Sequence, residues 1–137
     1  MALNLQLSVG ARNARLDSIE TTLGTAPVLE IWTGTQPATC ATTDSGTKLV
    51  SMSLPSDWMA AASGGTKAIL GNPWNSTGIT NGTAGYFRIK PTAATGTNAV
   101  IQGTVGTAGT DMVLDNTSIA TSQVVNVNSF TLNEANA

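Results

Sequence analysis

The stretch GTAGYFRIK, residues 82 to 90, decides the fold class, because its side chains alternate as they do in a β-strand. Phe87 and Ile89 fall on one face, which we expect to lie in the core. Tyr86 and Arg88 share the opposite face, where they either contact another subunit or cover exposed sheet. The stretch therefore predicts a central strand with one packed face and one face open to partners. Exposure of Phe87 would refute this register.

The same period of two continues on both sides of this strand. In KLVSMSL at 48–54, Val50, Met52 and Leu54 share one face and serines occupy the other. Further strands are expected at 28–34, 67–70, 74–79, 99–105, 111–115 and 123–132. Together these segments give about eight strands at the spacing of a sandwich. The predicted fold is all-β, an antiparallel, jelly-roll-like β-sandwich with one N-terminal α-helix.

The N-terminal segment follows a helical period instead. Ser8 is a suitable N-cap and Gly24 a suitable residue after the C-terminus, which predicts a helix over about residues 8–23. Its apolar face, formed by Leu5, Val9, Leu16, Ile19 and Leu23, packs either on the chain's own sheet or on a neighbouring subunit, and the sequence leaves both open. We expect a single domain over 1–137, with a helical arm at about 1–25 and the sandwich at 26–137.

The composition indicates a polar but mostly uncharged surface. Only 10% of the 137 residues are charged, against about 25% in typical soluble domains. Such a surface suits a protein within an assembly, where neutral faces meet without desolvating ions. The net charge of −2 offers nothing to attract nucleic acid. No secretion signal or apolar run of about 18 residues occurs, so we expect no membrane partner and synthesis in a cytoplasm.

Most catalytic and metal chemistry lacks its usual residues here. Histidine is absent, and Cys40 is the only cysteine, which removes the Ser-His-Asp triad and the common zinc sites. No glycine-rich phosphate motif occurs. We expect no enzyme activity, no cofactor and no metal. Two alternatives stay open: acid–base catalysis by Asp111 with Asp115, and a calcium site using Asp44, Asp111 or Asp115 without the usual D-x-D-x-D-G run.

Two further features bear on binding. Trp32, Trp58 and Trp74 are either core residues or anchors for a partner or a sugar, and Trp74, in a polar run, is expected to be the most exposed. The polar segment 35–47 is long enough to be a functional loop or an assembly arm. A single helical turn is expected before Gly64.

Four segments together resemble a family of small virion structural proteins of tailed bacteriophages. They are LEIWTGTQPAT, LVSMSLPSDWMAAASGGTKA, GTAGYFRI and TDMVLDNTSIATSQVVNVNSFTLNEANA, and GTAGYFRI and LDNTSIATSQVVNVNSFTL are the most specific parts. The resemblance is to capsid decoration, or cement, proteins. It implies an all-β module on the outer surface of the capsid, assembled as a homo-oligomer, often a trimer, and bound to the major capsid protein. It supplies no catalytic residues.

The resemblance therefore implies a virion structural protein that stabilises the head shell. The alternative is a neck, tail or head-fibre module that binds a host receptor or carbohydrate. The candidate interface residues are Arg12, Arg15, Gln36, Thr39, Trp74, Tyr86 and Arg88.

Overall fold

The computed structural model describes residues 4–71, 74–92 and 99–134. This part of the chain contains one helix, α1 (Val9–Leu23), and nine strands: β1 (Val28–Thr33), β2 (Lys48–Ser53), β3 (Thr66–Ala68), β4 (Trp74–Thr77), β5 (Gly82–Lys90), β6 (Ile101–Gly106), β7 (Met112–Leu114), β8 (Ser118–Ile119) and β9 (Val124–Asn133). The predicted all-β class with one N-terminal helix is confirmed.

The caps of α1 are those that the sequence predicts. The Ser8 hydroxyl accepts a hydrogen bond from the Ala11 N–H at 3.2 Å. At the other end, the Gly24 N–H donates to the Glu20 carbonyl, and Gly24 has a φ of 76°, which favours glycine. Both ends of the helix are thus fixed by local sequence.

The strands form one curled sheet in the order β2-β1-β5-β6-β7-β9-β3, with β4 also on β9 and β8 on β5. The sheet bends back on itself, because Val50 of β2 bridges to Gly78 and the Ile79 N–H donates to the Leu49 carbonyl at 2.8 Å. Its strand pairs are antiparallel except β6 with β7, which is parallel. That parallel pair and the short β8 depart from the predicted antiparallel sandwich.

A row of four aromatic rings fills the core. Phe87 is only 1% exposed, which confirms the predicted register of β5. Its ring meets Phe130 edge-on at 5.4 Å between centroids, Phe130 lies 6.1 Å from Trp74, and Trp74 lies 6.0 Å from Trp58. Aromatic pairs at these separations add to the stabilisation from burial alone.

Trp74 belongs to this core, so its predicted exposure is wrong. It is 2% exposed, and its indole N–H donates to the Leu70 carbonyl at 3.0 Å, which satisfies its polar atom. β4 pairs with β9, placing Trp74 opposite Val127, and Asn75 and Thr77, on the other face of the strand, are exposed. Polar residues next to a tryptophan in sequence therefore indicate a strand with one solvent-exposed face. They do not indicate that the tryptophan ring is exposed.

The segment before Gly64 is also different from the prediction. It forms a hairpin with β3 in place of a helical turn, with bridges from Met59 to Ile69 and from Ser63 to Thr66. Gly64 and Gly65 make the turn, with φ values of 61° and 78°. Two consecutive positive φ values suit a tight turn between antiparallel segments.

The helix packs on its own chain, which answers the question that the sequence left open. The Asp17 carboxylate accepts from the Ala62 N–H at 3.1 Å, and the Asn13 side chain accepts from the Gly65 N–H at 2.9 Å. Leu16 and Leu23 are fully buried. Val9 is 47% exposed, and Leu5 lies before the helix and is 78% exposed, so the predicted apolar face is wrong at these two residues. The helix is therefore fixed to the hairpin by polar contacts and to the core by Leu23 and Ile19.

Candidate functional site

Residues 34–47, called here the covering loop, lie over one face of β5. The Arg88 side chain projects from β5 into the loop and is fully buried. Its guanidinium donates to three loop carbonyls, those of Thr39 at 3.2 Å, Cys40 at 2.7 Å and Thr42 at 2.8 Å, and forms an ion pair with Asp44. A guanidinium is suited to this task because its fork of donors is planar and rigid.

Tyr86 reinforces the same contact. It is fully buried, its hydroxyl donates to the Ser45 carbonyl at 2.6 Å, and it accepts from the Ser45 N–H at 3.1 Å. Its ring stacks on Trp32 at 6.3 Å. The predicted open face of β5 is thus closed by the covering loop, and Tyr86 and Arg88 contact this loop and present no surface to a partner.

Three further charged residues join Arg88 and Asp44 in a cluster of ion pairs under the loop: Glu30, Lys48 and Lys90. Lys90 pairs with Glu30 at 2.8 Å and with Asp44 at 2.7 Å, and Lys48 pairs with Glu30 at 2.6 Å. Burial acts to raise the pKa of Glu30, but the hydrogen bonds and charges of Lys48 and Lys90 outweigh it, so that this pKa lies below its usual value. For Asp44, burial is likewise outweighed by Lys90 and Arg88, and its pKa is lowered.

Lys90 behaves in the complementary way. Burial acts to lower its pKa, but the hydrogen bonds and charges of Asp44 and Glu30 outweigh it and raise the pKa above 10.5. The acids and this base therefore remain charged at neutral pH, and the loop is held by paired ions as well as by hydrogen bonds.

The outer surface of the covering loop is neutral. Gln36 is half-buried and Thr39 is exposed. The other exposed residues of the loop are Gly34, Thr35, Ala38, Ala41, Thr42, Thr43, Ser45, Gly46 and Thr47. The one charged residue in the loop, Asp44, turns inward with 12% of its side chain exposed. The loop therefore presents uncharged side chains on a backbone that is anchored from below.

Glycines allow the loop to approach the sheet closely. A Cβ on Gly85 of β5 would lie 1.9 Å from the Gly34 carbonyl oxygen. A Cβ on Gly46 would lie 2.4 Å from the Thr33 carbonyl oxygen, and Gly46 also has a φ of 82°. Each of these positions requires glycine because backbone atoms fill the space that a side chain would take.

Arg12 and Arg15 lie at a different place, where α1 meets the end of β9. The Arg12 guanidinium donates to the Glu134 carbonyl at 3.2 Å, and Arg15 pairs with the Glu134 carboxylate at 2.8 Å. Arg15 keeps 60% of its side chain exposed. Of the seven predicted interface residues, four meet at the covering loop, two meet at Glu134, and Trp74 lies in the core.

The sequence interpretation missed the buried ion pairs. Glu30 lies in the middle of the apolar strand β1, VLEIWT, and is directly opposite Arg88 of the neighbouring strand β5. A charged residue inside an apolar strand, together with cations on a second strand, is the signal that could have predicted this cluster. Lys67 is a second case: it is 1% exposed and pairs with Asp17 and Glu20, both at 2.7 Å.

Asp111 and Asp115, the acids considered for catalysis and calcium binding, accept hydrogen bonds from the backbone. Asp111 accepts from the Thr104 N–H at 2.8 Å, and Asp115 accepts from the Asn126 N–H at 3.1 Å. Among residues 4–71, 74–92 and 99–134, no group of three or more His, Cys, Asp or Glu side chains is placed to hold a metal ion. In the same ranges, no helix has the length and apolarity needed to cross a membrane.

Comparisons of this chain with protein-family models, curated proteins and solved structures found no match.

Proposed function

We propose that this chain is a structural protein of a tailed-bacteriophage virion, a decoration protein that binds the outer surface of the head shell and stabilises it. The observation that carries the proposal is the covering loop. It offers a neutral, hydrogen-bonding surface, so contact with another protein desolvates no charge. Its backbone is held by Arg88 and Tyr86 from below, which reduces the conformational entropy that binding would cost.

The partners proposed are the major capsid protein and further copies of this chain, with a trimer favoured. An oligomer that contacts several capsid subunits gains from multivalency, so modest contacts at each loop are sufficient. Binding to the assembled shell and not to its dissociated subunits would stabilise the shell by mass action. The low charge of the chain supports a place within such an assembly.

The test compares two exposed threonines, one inside and one outside the covering loop. Thr43→Arg places a charge at the centre of the proposed contact, and Thr107→Arg places the same charge in the turn after β6. We expect Thr43→Arg to weaken co-sedimentation with head shells by about tenfold or more. Thr107→Arg should bind as the parent does. Equal binding by both variants would contradict the proposal.

A second measurement addresses the stabilising role. Shells assembled from the phage's major capsid protein should rupture at a higher temperature in calorimetry when this protein is bound. The Thr43→Arg variant should leave that temperature unchanged. A rupture temperature that does not respond to the parent protein would overturn the decoration role while leaving the fold intact.

The alternative is a receptor- or carbohydrate-binding module, in which an exposed tryptophan and polar loops would grip a glycan. Trp58 and Trp74 are both buried in the core. Trp32 is half-buried between Tyr86 and two lysines, with Lys48 Nζ 5.2 Å and Lys90 Nζ 5.9 Å from its ring centroid. The tryptophan expected to be the most exposed, Trp74, is buried, so the argument for this alternative from an exposed ring loses its support.

A further inference from the structure

A groove of about 770 Å³ lies between the C-terminal half of α1 and the chain segment before β3. Its helix wall includes Asp17, Glu20 and Thr21. Its other wall is formed by residues of the segment 56–61, called here the edge segment. Thr21 and Ala61 are exposed, so the groove is open to solvent. It shares no residue with the covering loop.

The edge segment pairs with the chain around β3 on one side. The Ala60 N–H donates to the Ala68 carbonyl at 2.9 Å. The Leu70 N–H donates to the Trp58 carbonyl at 3.0 Å. Met59 lies between these two bonds and forms an antiparallel bridge. In this pattern the central residue directs its own N–H and C=O away from the partner strand.

The backbone of Met59 is buried and unpaired. The residue lines the groove and is 2% exposed, and in the described part of the chain its N–H and C=O have no hydrogen-bond partner. Buried backbone groups in proteins are nearly always paired. An extended chain laid in the groove would supply both a donor and an acceptor, as in strand addition to a sheet edge.

The groove is also negatively charged. Asp17, Glu20 and Asp57 line it together with one base, Lys67, which is paired with the first two acids. Of the eight acids in the chain, Asp57 is the one without an ion pair or hydrogen bond among the described residues. The last turn of α1 contains no basic residue, so the partial negative charge of the helix C-terminus adds to that of the acids. The groove therefore favours a cation.

This cation is not free on the chain itself. Each of the six basic residues already binds an acceptor in the same molecule. Arg12 and Arg15 bind Glu134, Lys48 and Lys90 bind Glu30, Lys67 binds Asp17 and Glu20, and Arg88 binds Asp44. A second copy of this chain would have to break one of these contacts to fill the groove, so a different protein is the better occupant.

We propose that the groove binds an extended segment of a partner protein, which pairs with Met59 as an added strand and places a lysine or arginine beside Asp57. Leu70 lines the same groove and is 40% exposed, so it offers an apolar contact to a neighbouring side chain of that segment. The occupant therefore combines strand-forming and basic residues. The proposal does not depend on binding to a capsid, because the groove and the covering loop are separate surfaces.

The probe is a peptide with blocked ends, Thr-Val-Lys-Val-Lys-Val-Thr, which combines strand-forming residues with cations. One control peptide has Glu in place of each Lys, and another keeps the side chains but carries N-methyl groups on alternate backbone amides. In a calorimetric titration we expect the parent protein to bind the first peptide. Both controls should bind at least about tenfold more weakly, one through charge repulsion and the other through loss of strand hydrogen bonds.

Variants of the protein test the same contact from the other side. Ala61→Arg fills the groove with a long side chain and should weaken binding by about tenfold or more. Ala108→Arg places the same side chain in the exposed turn after β6 and should bind as the parent does. Asp57→Asn removes one charge, and a loss of about threefold is expected. Ala61 and Asp57 are exposed, so these changes should not unfold the chain, and circular dichroism checks that they do not.

Hydrogen exchange gives a readout that charge alone would not move. The Met59 amide should exchange at least about tenfold more slowly when the peptide is bound. A parent that does not bind the Lys peptide, equal affinity for the Lys and Glu peptides, or equal binding by Ala61→Arg and Ala108→Arg would each overturn the proposal. Binding of the diamine cadaverine as tightly as the peptide would also overturn it, since the groove would then be a site for a small cation.

Discussion

Two buried cations hold two different segments onto the same sheet. Arg88 lies under the covering loop and binds three carbonyls and one carboxylate. Lys67 lies under α1 and binds Asp17, Glu20 and the Ala60 carbonyl. The acids differ in their surroundings, because the Asp44 side chain is 12% exposed whereas that of Asp17 is 49% exposed.

The comparison teaches that the two attachments have different strengths. Around Arg88 the Asp44 carboxylate is largely withdrawn from water, so loss of the guanidinium leaves a buried acid with one cation fewer. Around Lys67 the carboxylates can return to solvent when the cation is removed. We therefore expect the covering loop to unfold with the core and α1 to detach more easily.

The largest effect is expected from Arg88→Met. Removing one partner of a buried ion pair and leaving the other buried costs about 3–5 kcal/mol. Urea denaturation should show this loss in the free energy of unfolding. Lys48→Met removes a lysine that is 35% exposed in its side chain and serves as the control, with a loss below about 1 kcal/mol. Equal losses would show that the loop is not anchored by Arg88.

A smaller effect is expected from Lys67→Met. The apolar replacement fills the buried space, and Asp17 and Glu20 regain water, so we expect a loss of about 1–3 kcal/mol. Hydrogen exchange should accelerate in α1 and in the hairpin that includes β3, while amides of β1 and β5 keep their protection. Uniform acceleration across the sheet would contradict a separately attached helix.

The smallest effect at neutral pH is expected from Asp17→Asn, below about 1 kcal/mol, because Asp17 is half exposed. The hydrogen bond from Lys67 lowers the Asp17 pKa from 3.8, and the Ala62 N–H lowers it further. A lowered pKa contributes stability that is present above pH 3.8 and is lost as the pH falls through the folded value. In Asp17→Asn, the free energy of unfolding should therefore fall slightly less steeply as the pH is lowered below 3.8.

Asp44→Asn should reduce that steepness more, since Asp44 is paired with two cations under the loop. On the alkaline side, Lys67 and Lys90 have pKa values raised above 10.5 by their carboxylate partners, which outweigh burial. Their contribution is complete below pH 10.5 and is lost as the pH rises through the folded values. On the acid side, an identical loss of stability with falling pH in Asp17→Asn and Asp44→Asn would show that the two ion-pair sites do not differ in strength.

Local pattern was sufficient to predict much of the fold. Phe87 and Ile89 alternate with polar residues and are buried as expected, and Ser8 and Gly24 cap α1 as expected. Alternation reports which side chains share a face. It does not report what lies over that face, and this is why Tyr86 and Arg88 were assigned to an open surface.

The residues that cover them are distant in the chain. Arg88 contacts acceptors 44 to 49 residues away, so no periodicity within β5 could show the contact. The candidate site was predictable only in part: the covering loop was recognised from its length and polarity, but its anchoring by buried ions depends on tertiary contacts. Trp74 was misplaced for a related reason, since polar neighbours along a strand say nothing about the strand's other face.

The three tryptophans give the molecule two separate optical reporters. Trp58 and Trp74 lie 6.0 Å apart in the core with a tilt of 46° between their rings, whereas Trp32 is stacked on Tyr86 beneath the covering loop. Fluorescence from Trp32 will follow release of the loop, and the near-ultraviolet circular dichroism of the core pair will follow global unfolding. Engagement of the loop can thus be observed without any added label.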